Sequence, residues 1–376
     1  MPAQQDWRKQ ARSGVAVLVM SAMLALGTVL TATVHAAEDT AASSDAVRLS
    51  IVGGLAAVTQ FSKLERPFWE TEITERSNGR IVATVRPFDT GGLRAQEMLQ
   101  LIRLGVVPFG TALLSVVSPD EPELDAPDLP LLNPDMESLR RTVALYREHL
   151  RKLLLDRYDI VLLGVYVYPA QVLFCRDPFS GLDDLKGRRV RTSAVGQSEL
   201  MSALGAIPVI VPFADMVRAL REDVADCAIT GTLSGYEIGL PDVTTHIHGM
   251  AISWGLSAFG ANLAAWEALP PDLRQIIADG VHDLEIRIWA QASADTDRGL
   301  ACDIGATSCL EPPKRPMTLV NATADEARRT QLHKDVVLPH WVMRCGKACA
   351  SAWNTHLAAA TGITIGTESS HSHPSP

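Results

Sequence analysis

The chain has 376 residues, 47% of them hydrophobic and 20% charged, with a formal net charge of −9. That length accommodates two domains with buried cores, and the balance of apolar to charged residues excludes an intrinsically disordered chain. The acidic sum leaves no basic footprint for nucleic acid.

Residues 1–36 differ in character from the rest. Arg8, Lys9 and Arg12 precede an apolar run from Val15 to about Val34, and Val34-His35-Ala36 offers small residues before Ala37. This order reads as a secretory signal peptide cleaved near Ala36. The run also approaches the roughly 20 residues that cross a bilayer, so a retained membrane anchor is the second reading. Under both readings the remainder is expected in the periplasm. Cys175, Cys227, Cys302, Cys309, Cys345 and Cys349 suit that oxidising compartment and are even in number for disulfides. Sequence does not fix their pairing. Proximity favours Cys302 with Cys309 and Cys345 with Cys349, leaving Cys175 with Cys227. The paired Cys-x-x-Cys knuckles of zinc sites are absent.

Val47 to Val52 reads as the first strand, ending in Gly53-Gly54, a pair that lets backbone approach a ligand closely or simply makes a tight turn. Leu64, Phe68, Trp69 and Ile73 mark a helix face stopped by Ser77-Asn78-Gly79. Ile81 to Pro87 is a strand, Gln96 to Leu104 a helix with Met98, Leu101 and Ile102 inward, and Val106 to Leu114 a third strand. An acidic, proline-punctuated loop from Asp120 to Pro130 follows. Pro134 opens a helix whose Met136, Leu139, Val143, Tyr146, Leu150 and Leu153 recur at steps of three and four. Ile160 to Tyr168 is a strand that leads toward 169–175, the expected first crossing into a second lobe.

The stretch from Asp184 to Gly231 repeats the pattern: strand to Arg191, helix, strand Ile207 to Pro212, helix, strand from Val224 to Gly231. Strand–helix alternation of this kind predicts a parallel sheet with helical crossovers. Ile102-Arg103-Leu104-Gly105-Val106 in the first unit is echoed by Leu220-Arg221-Glu222-Asp223-Val224 in the second, which implies two similar α/β lobes and a cleft between them. Strands at Met250 to Trp254 and Ala258 to Asn262 return the chain. Pro270-Pro271 then starts a long helix, reaching Ala292 or beyond, that braces both lobes. Residues 336–353 read as helical around a cysteine pair. The expected division is a signal peptide at 1–36, lobe I at 37–168 plus about 256–300, lobe II at 169–255, a C-terminal cysteine-containing segment at 301–366 and a disordered tail at 367–376.

Catalytic signatures are missing: there is no Gly-x-Ser-x-Gly, no Gly-x4-Gly-Lys and no His-Glu-x-x-His. His246 and His248 share a strand face, but no third metal ligand accompanies them. Neither an enzyme nor a cofactor or metal site is expected. What remains is a binder's inventory. Arg191 stands where a strand of the second unit ends, the place where open parallel sheets bind ligands, and its guanidinium can hold a carboxylate bidentately. The plain alternative is a surface arginine like Arg188 and Arg189. Gln171, Thr230, Thr232 and Ser234 are candidate neutral partners, and Phe213, Trp254 and Phe259 are candidate apolar walls or core. Gly53, Glu97 and Asn262 complete the candidate ligand set.

These motifs in combination resemble the extracytoplasmic solute-binding proteins of TRAP (tripartite ATP-independent periplasmic) transporters. The family's Asp-Leu-Lys-Gly-x-[Lys/Arg]-[Ile/Val]-Arg is matched by Asp184 to Arg191, its Ala-Leu-Gly-Ala-x-Pro-Val by Ala203 to Val209, and its Val-x-Asp-Gly by Val224 to Asp226 with Cys227 replacing the glycine. Ser77 to Arg80, Leu104-Gly105, Asp128-Leu129-Pro130, Asn262, Trp266 and Leu269-Pro270 also fit, over about Val47 to Gly299. The resemblance implies a type II periplasmic-binding fold of two α/β lobes with a ligand cleft between them. It also implies that Arg191 is the carboxylate partner, and that the ligand passes to membrane permease subunits. A ligand-sensing protein reporting to a membrane kinase is the alternative with the same fold. Two departures stand out: a second arginine common in the family is Gln171 here, and its Glu-Asn pair is Ile229-Thr230. The expected ligand is therefore a monocarboxylate with an apolar or aromatic body.

Overall fold

The computed structural model describes residues 46–366, so the expected signal peptide and the expected tail at 367–376 lie outside the described residues. In lobe I, β1 (Val47–Gly53), β2 (Ile81–Pro87) and β3 (Phe109–Leu113) run parallel in the order β2-β1-β3, continued by β10 (Leu256–Asn262) and β4 (Ile160–Val167), with β10 antiparallel to both neighbours. In lobe II, β6 (Arg189–Thr192), β7 (Ile207–Ile210) and β8 (Cys227–Gly231) repeat that arrangement as β7-β6-β8. β5 (Gln171–Cys175) lies antiparallel beside β8, then β9 (His246–Ser253) and β11 (Thr318–Val320). In each sheet the strand just after a crossing between lobes is the antiparallel one. The internal echo read from the sequence is thus a repeat of topology.

Two strand crossings join the lobes: β4 to β5 through 168–170, and β9 to β10 through Trp254-Gly255. The second turns at Gly255, whose φ of +81° is a conformation open to glycine at little cost. Asp128 holds this turn, accepting the backbone N–H of Trp254 at 2.9 Å and of Gly255 at 2.6 Å. Its burial pushes the Asp128 carboxyl up to about 8, against the pull of those bonds.

The helix Pro271–Asp303 has 33 residues, about 50 Å at 1.5 Å per residue, and it reaches both lobes. Leu273, Ile277, Val281, Leu284 and Ile288 form its buried stripe against the core of lobe I. Glu285 fixes it there, accepting the β4 amide of Val165 at 3.1 Å and pairing with Arg147, while Trp289 donates to the Val165 carbonyl at 2.8 Å. Further along, Thr296 accepts the Ala170 N–H at the crossing, and Gly299 packs directly on Thr232 and Leu233 of lobe II.

Several boundaries moved from those read in the sequence. The helix expected from Pro134 spans Met136–Tyr158, because Asp135 and Ser138 form a reciprocal capping box that sets its start. The strand expected from Val106 begins only at Phe109. Gly105 at φ +71° ends the preceding helix, and Pro108 has no N–H to pair. Residues 301–366 add β11 to the lobe II sheet, and their helices then pack back on 122–130, where Trp341 donates to the Pro122 carbonyl at 2.7 Å. Both disulfides favoured by proximity are present, Cys302–Cys309 and Cys345–Cys349, and the remaining cysteines pair as Cys175–Cys227.

Candidate ligand-binding site

The parallel strands of both lobes end at the same place. There the structure holds a cavity of about 530 Å³ between the lobes, where open parallel sheets are expected to bind ligands. Lobe I lines it with Leu55 after β1, Phe88 and Asp89 after β2, Arg94 and Gln96 before the next helix, Leu113 at the end of β3 and Ser115 just beyond it. Lobe II supplies Gln171, Arg191, Ser193, Val211 to Asp215 and Thr230. Tyr168 stands at the crossing between them.

Arg191 is 3% exposed. Its Nε donates to the Val211 carbonyl at 2.8 Å and its Nη1 to the Ile229 carbonyl at 2.9 Å. No carboxylate among the described residues pairs with it. Burial alone pushes the guanidinium down to about 10, which still leaves it charged at neutral pH. Two carbonyls orient the fork, and Nη2 has no protein partner among the described residues. A buried cation without a counter-ion is unfavourable, so this site is electrostatically incomplete without an anion. Asp226 instead neutralises the half-buried Arg189.

Of the residues singled out in the sequence, Arg191, Gln171, Thr230, Phe213 and Ser234 line this cavity. Others are placed elsewhere, each for a visible reason. Thr232 opens the helix Thr232–Glu237 and donates to the Thr296 carbonyl of the long helix at 2.9 Å. Trp254 is core, its indole donating to the Asn133 carbonyl at 3.0 Å. Asn262 ends the antiparallel β10, so it lies at the end of the sheet away from the cavity, capping the helix Leu263–Glu267 and donating to the Arg103 carbonyl. Gly53 faces Phe61 and Glu65, which leave no room for a side chain. Glu97 is bound by the exposed Arg94. Phe259 is fully buried against Trp69 and Tyr166. His248 meets Asp325 at 2.9 Å in the lobe II core, and His246 meets Thr245. The described residues contain no cluster of three or more His, Cys, Asp or Glu that could hold a metal ion.

Sequence reasoning missed the lobe I wall. Asp89 and Arg94 lie in the turn-like run Asp89-Thr-Gly-Gly-Leu-Arg94, which carries no periodicity. The available signal was its position after a parallel strand, the same rule that selected Arg191 in lobe II.

Comparison with known proteins agrees with this architecture. The model of the family described as bacterial extracellular solute-binding protein, family 7, matches residues 56–301. The C4-dicarboxylate-binding periplasmic protein of Rhodobacter capsulatus is 25% identical over 210 residues, 54% of this chain, and the match spans 62% of that relative's length. An extracytoplasmic solute receptor of Bordetella pertussis binding pyroglutamic acid superposes with a TM-score of 0.72 at 22% identity, covering 83% of this chain and 99% of that one. A TRAP periplasmic solute-binding protein from Shewanella oneidensis with bound succinate gives 0.69 at 20% identity, covering 82% and 98%. With the family match running through both lobes and into the long helix, the chain belongs to the bacterial extracellular solute-binding protein family 7.

Proposed function

We propose that this protein is a periplasmic receptor that captures a small organic acid and delivers it to the membrane permease subunits of a TRAP-type transporter, without catalysis. The observation that carries the reading is Arg191: an always-charged fork, buried, held by two carbonyls and without a counter-ion among the described residues, in a cleft between two lobes. A ligand carboxylate supplies the missing charge, and contact with both lobes favours the closed form. The acid-binding relatives from Bordetella pertussis and Shewanella oneidensis support the ligand class. Export through the N-terminal signal segment accords with a family of extracellular receptors.

Gln171 and Thr230 stand where more cationic or more polar residues are common in the family, and much of the cavity wall is apolar: Leu55, Phe88, Leu113, Val116, Phe213 and Leu256. One carboxylate on a compact apolar body fits that wall better than two. Calorimetric titration with monocarboxylates and dicarboxylates tests this. Tight binding of dicarboxylates with none of monocarboxylates refutes the ligand class, and equal binding of acids and their neutral amides refutes the carboxylate reading altogether.

A further inference from the structure

Asp89, Arg94, Arg191 and Asp215 are the charged side chains that line the cavity. Two are neutralised by close neighbours in sequence: Arg94 pairs with Glu97, and Asp215 with Arg218 at 2.8 Å. The other two are not. Arg191 has no acidic partner among the described residues, and Asp89 has no cationic one. Asp89 Oδ1 accepts the Ala56 backbone N–H at 3.0 Å, whereas Oδ2 receives no hydrogen bond from the described residues. The cavity therefore presents one free cation from lobe II and one free carboxylate oxygen from lobe I.

Gln171 adds to the demand for donors. Its Nε2 donates to the Pro169 carbonyl at 3.2 Å and the Trp254 carbonyl at 3.4 Å. Those two acceptors fix the orientation of the amide and leave Oε1 with no donor among the described residues. A plain monocarboxylate satisfies Arg191 and nothing else. On closure it would leave Asp89 Oδ2 and Gln171 Oε1 drier and still unmatched, which is penalised. A second carboxylate would fare worse, because it would set like charge against Asp89.

We propose that the ligand is a carboxylic acid that also bears a hydrogen-bond donor, N–H or O–H. Arg191 holds the carboxylate from lobe II, and Asp89 reads the donor from lobe I. This deepens the receptor reading above and rests on it. Asp89 is then the specificity residue: only a ligand carrying both groups engages the charged residues of both lobes, so donor-bearing acids close the cleft and plain acids do not.

The test uses matched acids on one skeleton: pyroglutamate against 3-oxocyclopentanecarboxylate for N–H, and mandelate against phenylacetate for O–H. Each is titrated calorimetrically into the wild type, Asp89→Asn and Arg191→Gln. Asparagine keeps an oxygen for the Ala56 N–H and replaces the free oxygen with a donor. Thermal melts check that both variants fold. In the wild type one donor-bearing member should bind about tenfold or more tightly than its partner, the scale of one charge-assisted hydrogen bond, and the successful pair tells N–H from O–H. Asp89→Asn should abolish that preference by weakening the donor-bearing acid, and the plain acid should bind at least as tightly as in the wild type, because the unmatched carboxylate and its charge are gone. Equal affinities within both pairs, or a preference that survives in Asp89→Asn, overturns the proposal. Loss of all acid binding in Arg191→Gln upholds the underlying receptor reading in either case, and wild-type binding in that variant overturns it.

Discussion

Replacing Arg191 by glutamine should separate ligand affinity from fold stability. In the ligand-free protein the guanidinium is 3% exposed with no acidic partner among the described residues, so its removal relieves an uncompensated buried charge. Two hydrogen bonds, to the carbonyls of Val211 and Ile229, are lost at the same time. Each is worth about 1.5–3 kcal/mol at a charged donor, and the effective desolvation penalty of one buried ion is several kcal/mol. These nearly cancel, so the melting temperature of the ligand-free variant should stay near or above that of the wild type. In the complex the same substitution removes one member of a buried charge pair, which is worth about 3–5 kcal/mol. That is a loss of roughly 100-fold to several thousand-fold in Kd. Calorimetry measures the affinity. Thermal melting with and without ligand measures both quantities, because a ligand at about 100 times Kd adds about 2.7 kcal/mol of stability and the variant should lose that increment. Affinity within threefold of the wild type, or a ligand-free variant that no longer folds, would refute the reasoning.

Three further predictions concern the frame around the site. Asp128 at the Gly255 crossing is pushed up to about 8 by burial. A carboxyl raised in the folded state contributes stability that is present below its ordinary range and lost as pH rises through about 8. The melting temperature of the wild type relative to Asp128→Asn should therefore fall between about pH 5 and pH 9, and a difference constant with pH would contradict this. Gly299→Ala should destabilise despite alanine's advantage of about 1 kcal/mol in a helix. The new methyl would overlap the backbone of Thr232 and Leu233, not a yielding side chain, and overpacking of that kind costs about 1–3 kcal/mol or more. A neutral or stabilised variant in denaturant unfolding would show that the helix can move away. Replacing Cys175 and Cys227 together by alanine opens a crosslink of sequence separation 52, worth about 4 kcal/mol by loop entropy. Chemical denaturation should register that loss with ligand affinity little changed, since the bond lies at the ends of β5 and β8 away from the cavity.

The two lobes were legible because each is built from short apolar strands alternating with amphipathic helices, and that period survives in a single sequence. Arg191, Gln171 and Thr230 were legible because they sit at ends of strands facing the cleft. Asn262, matched by the family resemblance, also ends a strand but does not line the cavity. β10 runs antiparallel to β3, so its carboxyl end points away from the cleft, and strand direction is a property of the assembled sheet. Thr232 was separated from Thr230 only by the helix that starts at it. Asp89 and Arg94 were missed because a loop is specified by the strands it joins and not by its own pattern. Asp128 carried no visible sign of its role, since the amides it holds are 126 and 127 residues away in sequence.

The central claim is that the cleft receives an organic acid on Arg191. Native mass spectrometry of the protein purified from its own host tests it most directly. The prediction is a small-molecule adduct whose released form is a carboxylic acid, present on the wild type and absent from Arg191→Gln. An adduct without a carboxyl group, or one retained in full by the variant, would contradict it.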